Sequence, residues 1–173
     1  LLDSSIREGD RVLLIGYNSA KWIYVFFAIM NINAIPIPVN AESGTEELIN
    51  ILIDTEPSAI FFNSRYKNND LLSVVTSAIM NLSNKNIYCV LLEDYDIDNR
   101  FINWTQFLVS SNINKQREAK NGLYCVQYTS GSTGMPKGVM LSQYAVLNNG
   151  FHTGEALHLD TSDKMCVAVP LFH

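Results

Sequence analysis

Short apolar runs, separated by longer stretches of helical character, are the feature that most constrains the fold of this chain. The runs predicted to be strands are Arg11–Ile15, 34–39, Ala59–Phe62, 87–92, Leu123–Thr129 and 165–169. The helices predicted between them cover about residues 18–32, 43–55, 70–82 and 142–157, with a short one at Trp104–Val109. This alternation predicts an α/β fold, with a mostly parallel sheet covered by helices.

Individual residues predict where some of these elements begin or lie. Asn18 or Ser19 is expected to cap the first helix, since both side chains can accept a hydrogen bond from a free backbone N–H. Ser43, with Glu46 three residues later, has the pattern of a capping box and predicts that the next helix begins there. Pro36 and Pro38 lack an N–H, so their strand is expected near a sheet edge.

Charge and composition exclude several classes of protein. The net charge is −5 and no cluster of Lys or Arg occurs, which excludes a nucleic-acid-binding surface. The longest apolar run, residues 22–30, is too short for a transmembrane segment. Cys89, Cys125 and Cys166 stand far apart in apolar runs and are predicted to be buried free thiols, so we expect a cytoplasmic protein. The sequence gives no indication of the oligomeric state.

The stretch from Tyr128 to Gly138, YTSGSTGMPKG, has the composition of a phosphate-binding loop. It follows a predicted strand and holds three glycines, four Ser or Thr hydroxyls, one lysine and no acidic residue. Successive N–H groups in a glycine-rich turn form a concavity that binds anions. Lys137 adds a mobile positive charge suited to phosphate. A polyphosphate is therefore the expected ligand, against the alternative of a polar turn with a solvated lysine.

Three other glycine-rich motifs do not fit this stretch. A Walker loop that starts at Gly131 needs its second glycine at position 136, where this chain has Pro136. It also needs Ser or Thr at position 138, where this chain has Gly138. The dinucleotide fingerprint G-x-G-x-x-G has no match here. The nucleophile elbow G-x-S-x-G is also absent, so neither Ser130 nor Ser132 is predicted to be acylated.

From Tyr128 to Val139 the sequence resembles the signature of the adenylate-forming (AMP-binding) superfamily. That superfamily comprises acyl-CoA synthetases, coumarate-CoA ligases, firefly luciferase and peptide-synthetase adenylation domains. Three further stretches are similar to the family in order and spacing: GDRV at residues 9–12 with Asn18-Ser19, residues 34–40 with Asn33 in place of the usual glycine, and PLFH at residues 170–173. The sequences at 148–150, 154–155 and 163–166 are most similar to medium-chain fatty acyl-CoA synthetases.

The resemblance implies a domain organisation. Residues 1–173 would be the N-terminal part of the large AMP-binding domain. The rest of that domain and the C-terminal lid domain, which carries the catalytic lysine of the family, would be absent. No residue of this chain is therefore assigned a catalytic role.

The resemblance also implies a reaction, its substrates and a set of binding residues. A carboxylic acid, here a fatty acid, reacts with ATP to give acyl-AMP, and the thiol of coenzyme A or of a carrier protein then takes the acyl group. Mg²⁺ would be held mostly by residues outside this chain. His173 would bind the acid. The residues implied to bind the phosphates of ATP are Thr129, Ser130, Gly131, Ser132, Thr133, Gly134 and Lys137.

Two alternatives remain open from the sequence. The protein could be a peptide-synthetase adenylation domain that loads an amino acid, or a non-catalytic phosphate-binding or interaction module. If the chain activates an acid with ATP, its phosphate motif and His173 should lie close together in the fold. Residues 124–129 should form an interior strand with 165–169 nearby, so that Gly131 and His173 lie at the same edge of the sheet.

Residues 1–173 alone are expected to form no acyl-adenylate, because the family's ligands for adenine, ribose and Mg²⁺ do not occur in this sequence. Exchange of labelled pyrophosphate into ATP in the presence of fatty acids measures this directly. Sustained exchange by the purified 173-residue chain would contradict the expectation.

Overall fold

The computed structural model of the protein describes residues 6–82, 86–94, 98–109, 122–129 and 136–173. The strands in these ranges are β1 Arg11–Ile15, β2 Ile35–Val39, β3 Ala59–Phe62, β4 Tyr88–Leu91, β5 Leu123–Thr129 and β6 Lys137–Ser142. The helices are α1 Ala20–Asn31, α2 Thr45–Thr55, α3 Leu71–Met80, α4 Trp104–Val109 and α5 Gln143–Ala156. The α/β class predicted from the sequence is confirmed.

A parallel sheet forms the core of the structure. Its strand order is β2-β1-β3-β4, and each neighbouring pair runs parallel. The chain moves from β1 outward to β2 and then returns to the opposite side of β1 to form β3. In sheets of this kind the crevice at such a reversal, at the carboxyl ends of the strands, is the usual place for a ligand.

Helices cover both faces of this sheet because its central strand is apolar on both sides. Val12 and Leu14 of β1 pack in one layer with α1 and α4. Leu13 and Ile15 point the other way and pack in a second layer with α2 and α3. All four side chains are at most 1% exposed, so β1 is buried on both faces from Val12 to Ile15.

The hydrogen-bonded sheet ends at β2, as Pro36 and Pro38 predicted. Ile35 N donates to Asp10 O at 2.8 Å, which directs residues 35, 37 and 39 toward β1. The backbones of the two prolines therefore face away from β1, and neither has an N–H to donate there. β5 lies beside this outer edge of β2 but forms its backbone ladder with β6.

β5 and β6 thus form a separate antiparallel hairpin. The prediction that residues 124–129 form an interior strand of the main sheet is wrong, because the proline strand β2 offers them too few donors. The strand β6 was not predicted at all. It places Lys137 at the start of a strand, where the sequence alone indicated the end of a loop.

Of the two predicted helix starts, the cap of α1 is confirmed and the capping box of α2 is wrong. Ser19 caps α1 by accepting a hydrogen bond from Trp22 N at 3.1 Å. The capping box at Ser43 does not form, because α2 begins one residue later, with Gly44 as its N-cap. The backbone of Ser43 is held elsewhere: its N–H donates to Asn40 O and its carbonyl accepts from the Asn69 side chain.

The prediction of a strand at 165–169 is wrong: these residues form no strand in the structure. Met165, Val167 and Val169 are each more than half exposed, and none of the described strands pairs with this segment. The prediction of three buried thiols is confirmed for Cys125 only, since Cys89 is partly buried and Cys166 is exposed. In the described part of the chain, no helix is long and apolar enough to cross a membrane.

The thiols are predicted to react with dithiobisnitrobenzoate at very different rates. Burial raises the pKa of Cys89 to about 12 and that of Cys125 to about 11, so both stay protonated at pH 8 and react slowly. Cys166 is exposed and should react at once. Absorbance at pH 8 should show one fast thiol in the native chain and the others only after denaturation. Cys166→Ser is the control and should lose the fast phase. A fast phase that persists in this variant would contradict the structure.

Candidate active site

The predicted phosphate-binding motif connects the two strands of the β5–β6 hairpin. Thr129 at the end of β5 lies opposite Lys137 at the start of β6. The sequence between them is therefore the hairpin connection. Ser130, Gly131, Ser132, Thr133 and Gly134 lie outside the described residues, so their assignment as phosphate ligands stays a prediction.

Close packing joins the two strands directly behind the motif. Gly138 lies opposite Tyr128, and a Cβ at position 138 would lie 2.9 Å from Val126 Cγ1 and 3.2 Å from Tyr128 Cζ. A larger residue at 138 would thus push the Tyr128 ring out of place. Glycine here allows the tyrosine ring to lie across β6, the strand that carries Lys137.

A hydrogen bond ties this end of the hairpin to α2. The Tyr128 hydroxyl donates to Asp54 Oδ2. Burial, together with this hydrogen bond and the negative charge of Asp54, raises the pKa of Tyr128 well above its ordinary value, so the phenol stays a donor at neutral pH. Beside this bond is a cleft of about 400 Å³ lined by Asn50, Asp54, Tyr128, Pro136, Lys137 and Gly138.

On the opposite face of β5 is a larger and mostly apolar hollow. It has a volume of about 440 Å³ and lies between α1, the β5–β6 hairpin and the segment 167–173. Trp22 and Phe26 of α1 form part of its wall, and Phe27 beside them is 58% exposed. Its lining includes the polar side chains of Tyr124, Gln127 and His173. A volume of this size is typical of small-molecule sites.

Side-chain hydrogen bonds hold the segment that ends at His173. Asn18 Nδ2 donates to Val169 O at 2.8 Å, and Asn18 Oδ1 accepts from Leu171 N at 2.8 Å. Gln127 Nε2 donates to Phe172 O at 3.0 Å. The Phe172 ring is buried, whereas His173 is exposed.

These contacts bring separate sequence motifs together. Gln127 is two residues before Thr129, so the start of the phosphate motif and His173 lie at the same end of β5. The expectation that Gly131 shares this edge agrees with its described neighbours but is not tested, since Gly131 is not described. Sequence reasoning missed Gln127 and Asp54. A glutamine in the middle of an apolar strand was the available signal for the former.

The described residues contain no preformed cluster of metal-ligating side chains. Among them, no group of three or more His, Cys, Asp or Glu side chains could hold a metal ion. The Mg²⁺ implied by the family resemblance, expected to be held mostly by residues outside this chain, stays a prediction.

The chain is similar in sequence to proteins named as acyl-CoA synthetases or ligases. The chain is 30% identical to YngI of Bacillus subtilis over 192 aligned positions, which are all of this chain and 35% of that protein. It is 25% identical to the mitochondrial medium-chain acyl-CoA ligase ACSF2 of Danio rerio, over all of this chain and 32% of the relative. The chain therefore spans about a third of the length of these curated relatives.

Solved structures show the same fold. The long-chain-fatty-acid-CoA ligase FadD1 of Archaeoglobus fulgidus superposes with a TM-score of 0.80 at 23% identity, over 98% of this chain and 32% of that one. The family described as "AMP-binding enzyme" matches residues 1–173 in full. This protein belongs to the AMP-binding enzyme family, whose members include acyl-CoA ligases.

Proposed function

We propose that this chain is the N-terminal part of a larger enzyme that activates a fatty acid with ATP and transfers the acyl group to the thiol of coenzyme A. One observation carries the proposal: the hydrogen bond from Gln127 to Phe172 O, which joins the strand leading into the phosphate motif to the segment ending at His173. It brings a predicted polyphosphate site and an apolar hollow to the same end of one strand.

In the first half-reaction a carboxylate oxygen attacks the α-phosphorus of ATP. The bond from that phosphorus to the β-phosphate oxygen breaks, and pyrophosphate leaves with the electron pair. An anion attacks a polyanion here, so fixed donors and positive charge are needed. We assign the β- and γ-phosphates to Thr129, the motif residues 130–134 and Lys137. The lysine would stabilise the negative charge that grows on the departing pyrophosphate.

The acid would lie on the other face of β5. Its hydrocarbon chain would occupy the apolar hollow, and its carboxyl group would lie near the rim, where His173 and Gln127 are. In the second half-reaction a thiolate attacks the carbonyl carbon of acyl-AMP, the carbon–oxygen bond to AMP breaks, and a thioester forms. Adenine, ribose and Mg²⁺ would be bound by parts of the protein beyond this chain.

The lining of the hollow favours a fatty acid over an amino acid. No Asp or Glu occurs among the described residues that line it, so they provide no partner for an α-ammonium group. This supports a fatty-acid ligase rather than a peptide-synthetase adenylation domain. The name of the relative ACSF2, a medium-chain acyl-CoA ligase, supports coenzyme A as the acceptor. We place the enzyme in the cytoplasm.

Acid-dependent exchange of pyrophosphate into ATP by the full-length protein tests this proposal. Fatty acids of eight to sixteen carbons and a panel of amino acids would be compared. Exchange with fatty acids is the expected result. Exchange with an amino acid alone would establish the peptide-synthetase alternative, and exchange with no acid would favour a non-catalytic phosphate-binding module.

Lys137→Ala in the full-length enzyme is expected to slow adenylation by about 10²–10³-fold, the typical cost of one electrostatic contact to a charge that develops in the transition state. Thiol attack on preformed acyl-AMP should change far less, because pyrophosphate has already left. Rapid-quench measurement of each half-reaction separates the two. Lys164→Ala, which removes an exposed lysine, is the matched control and should leave both rates unchanged. Equal slowing of both half-reactions by Lys137→Ala would rule out its phosphate role.

A further inference from the structure

Two adjacent residues of β5 form hydrogen bonds on opposite faces of that strand, directly before the phosphate motif. Side chains alternate along a strand, so Gln127 and Tyr128 leave it in opposite directions. Gln127 reaches the segment that ends at His173, on the face toward α1. Tyr128 reaches Asp54 of α2, on the other face.

We propose that β5 carries two separate anchors, one for each substrate of the adenylation step. In the acid-side anchor, Asn18 and Gln127 position the segment that carries His173. In the nucleotide-side anchor, Asp54 positions Tyr128 and with it the start of the phosphate motif. The proposal rests on the function inferred above and assigns positioning roles to these residues, because their hydrogen bonds go to other parts of the protein.

The acid-side anchor uses both ends of one amide group. Asn18 donates to Val169 O and accepts from Leu171 N, both at 2.8 Å, across more than 150 positions of sequence. Alanine loses both bonds. Aspartate would keep the acceptor for Leu171 N but would place a carboxylate oxygen against Val169 O. Only an amide therefore fits both partners.

The nucleotide-side anchor is a single hydrogen bond next to Lys137. Tyr128 lies opposite Gly138 in the hairpin, and the close approach at that glycine keeps the ring over β6. The bond to Asp54 then fixes this end of the hairpin to α2. Asparagine at position 54 would keep an acceptor for the phenol, whereas alanine would not.

Asn18→Ala and Asp54→Ala in the full-length enzyme should separate the two anchors. Dissociation constants for a fatty acid and for ATP would be measured by calorimetry, beside KM values from pyrophosphate exchange. Asn18→Ala should weaken fatty-acid binding about tenfold and leave ATP binding within about twofold. Asp54→Ala and Tyr128→Phe should weaken ATP binding roughly three- to tenfold, the equivalent of one net hydrogen bond, and leave fatty-acid binding unchanged.

Conservative and distant variants serve as controls. Asp54→Asn should restore ATP binding nearly to the wild-type value. Asn68→Ala and Tyr144→Phe remove matched groups from exposed side chains and should change neither constant. If Asn18→Ala fails to fold, as judged by circular dichroism, Asn18→Asp takes its place and should weaken fatty-acid binding alone.

The two-anchor proposal would be overturned if Asn18→Ala or Asp54→Ala changed the dissociation constants for fatty acid and ATP together, or changed neither of them. Its failure can be told apart from failure of the proposed function. A wild-type enzyme that binds both ligands but shows no acid-dependent exchange would contradict only the function, and the binding constants would still decide on the anchors. A wild-type protein that binds neither ligand would overturn both.

Discussion

Burial of β1 on both faces is the constraint on which the rest of the structure depends. Because β1 lies between β2 and β3, the chain passes from β1 to β2 on one side and then returns to form β3 on the other side. This reversal leaves a crevice at the carboxyl end of β1. The ends of β1 and β3 approach so closely there that a Cβ at Gly16 would lie 2.2 Å from Asn63 Oδ1. Asn18 follows directly from this turn, which is why it can reach the segment before His173.

The proline strand β2 sets the second constraint. Since Pro36 and Pro38 cannot donate hydrogen bonds outward, β5 pairs with β6 and the phosphate motif becomes the connection of a hairpin rather than a turn into a helix. The hairpin then has two faces. One contacts α2 through Tyr128, and the other contacts the His173 segment through Gln127. In the proposed reaction, ATP and the acid would therefore bind at one end of the same strand.

Local patterns predicted most of this fold, but not the contacts that build the site. Short apolar runs predicted β1 and β3 to the residue, and α1 lies within two residues of its predicted ends, because burial decides both the pattern and the element. The apolar run at 165–169 also predicted a strand. A strand needs a neighbouring strand to pair with, however, and an apolar run does not show whether one is present. Asn18 was predicted as a possible helix cap, and its bonds to residues 169 and 171 depend on topology alone. The motif predicted phosphate binding from local sequence alone. Gln127 and Asp54 are distant in sequence from their partners Phe172 and Tyr128, so only the folded structure shows these contacts.

Measuring the transfer of a carboxyl oxygen from the acid to AMP tests the proposed reaction most directly. A fatty acid labelled with ¹⁸O in both carboxyl oxygens would be given to the full-length enzyme with ATP and coenzyme A, and the AMP analysed by mass spectrometry. Attack of the carboxylate on the α-phosphorus leaves one labelled oxygen in AMP and the other in the thioester carbonyl. One ¹⁸O in AMP is the predicted result. Unlabelled AMP, or ADP and phosphate as products, would contradict an adenylate-forming function for this protein.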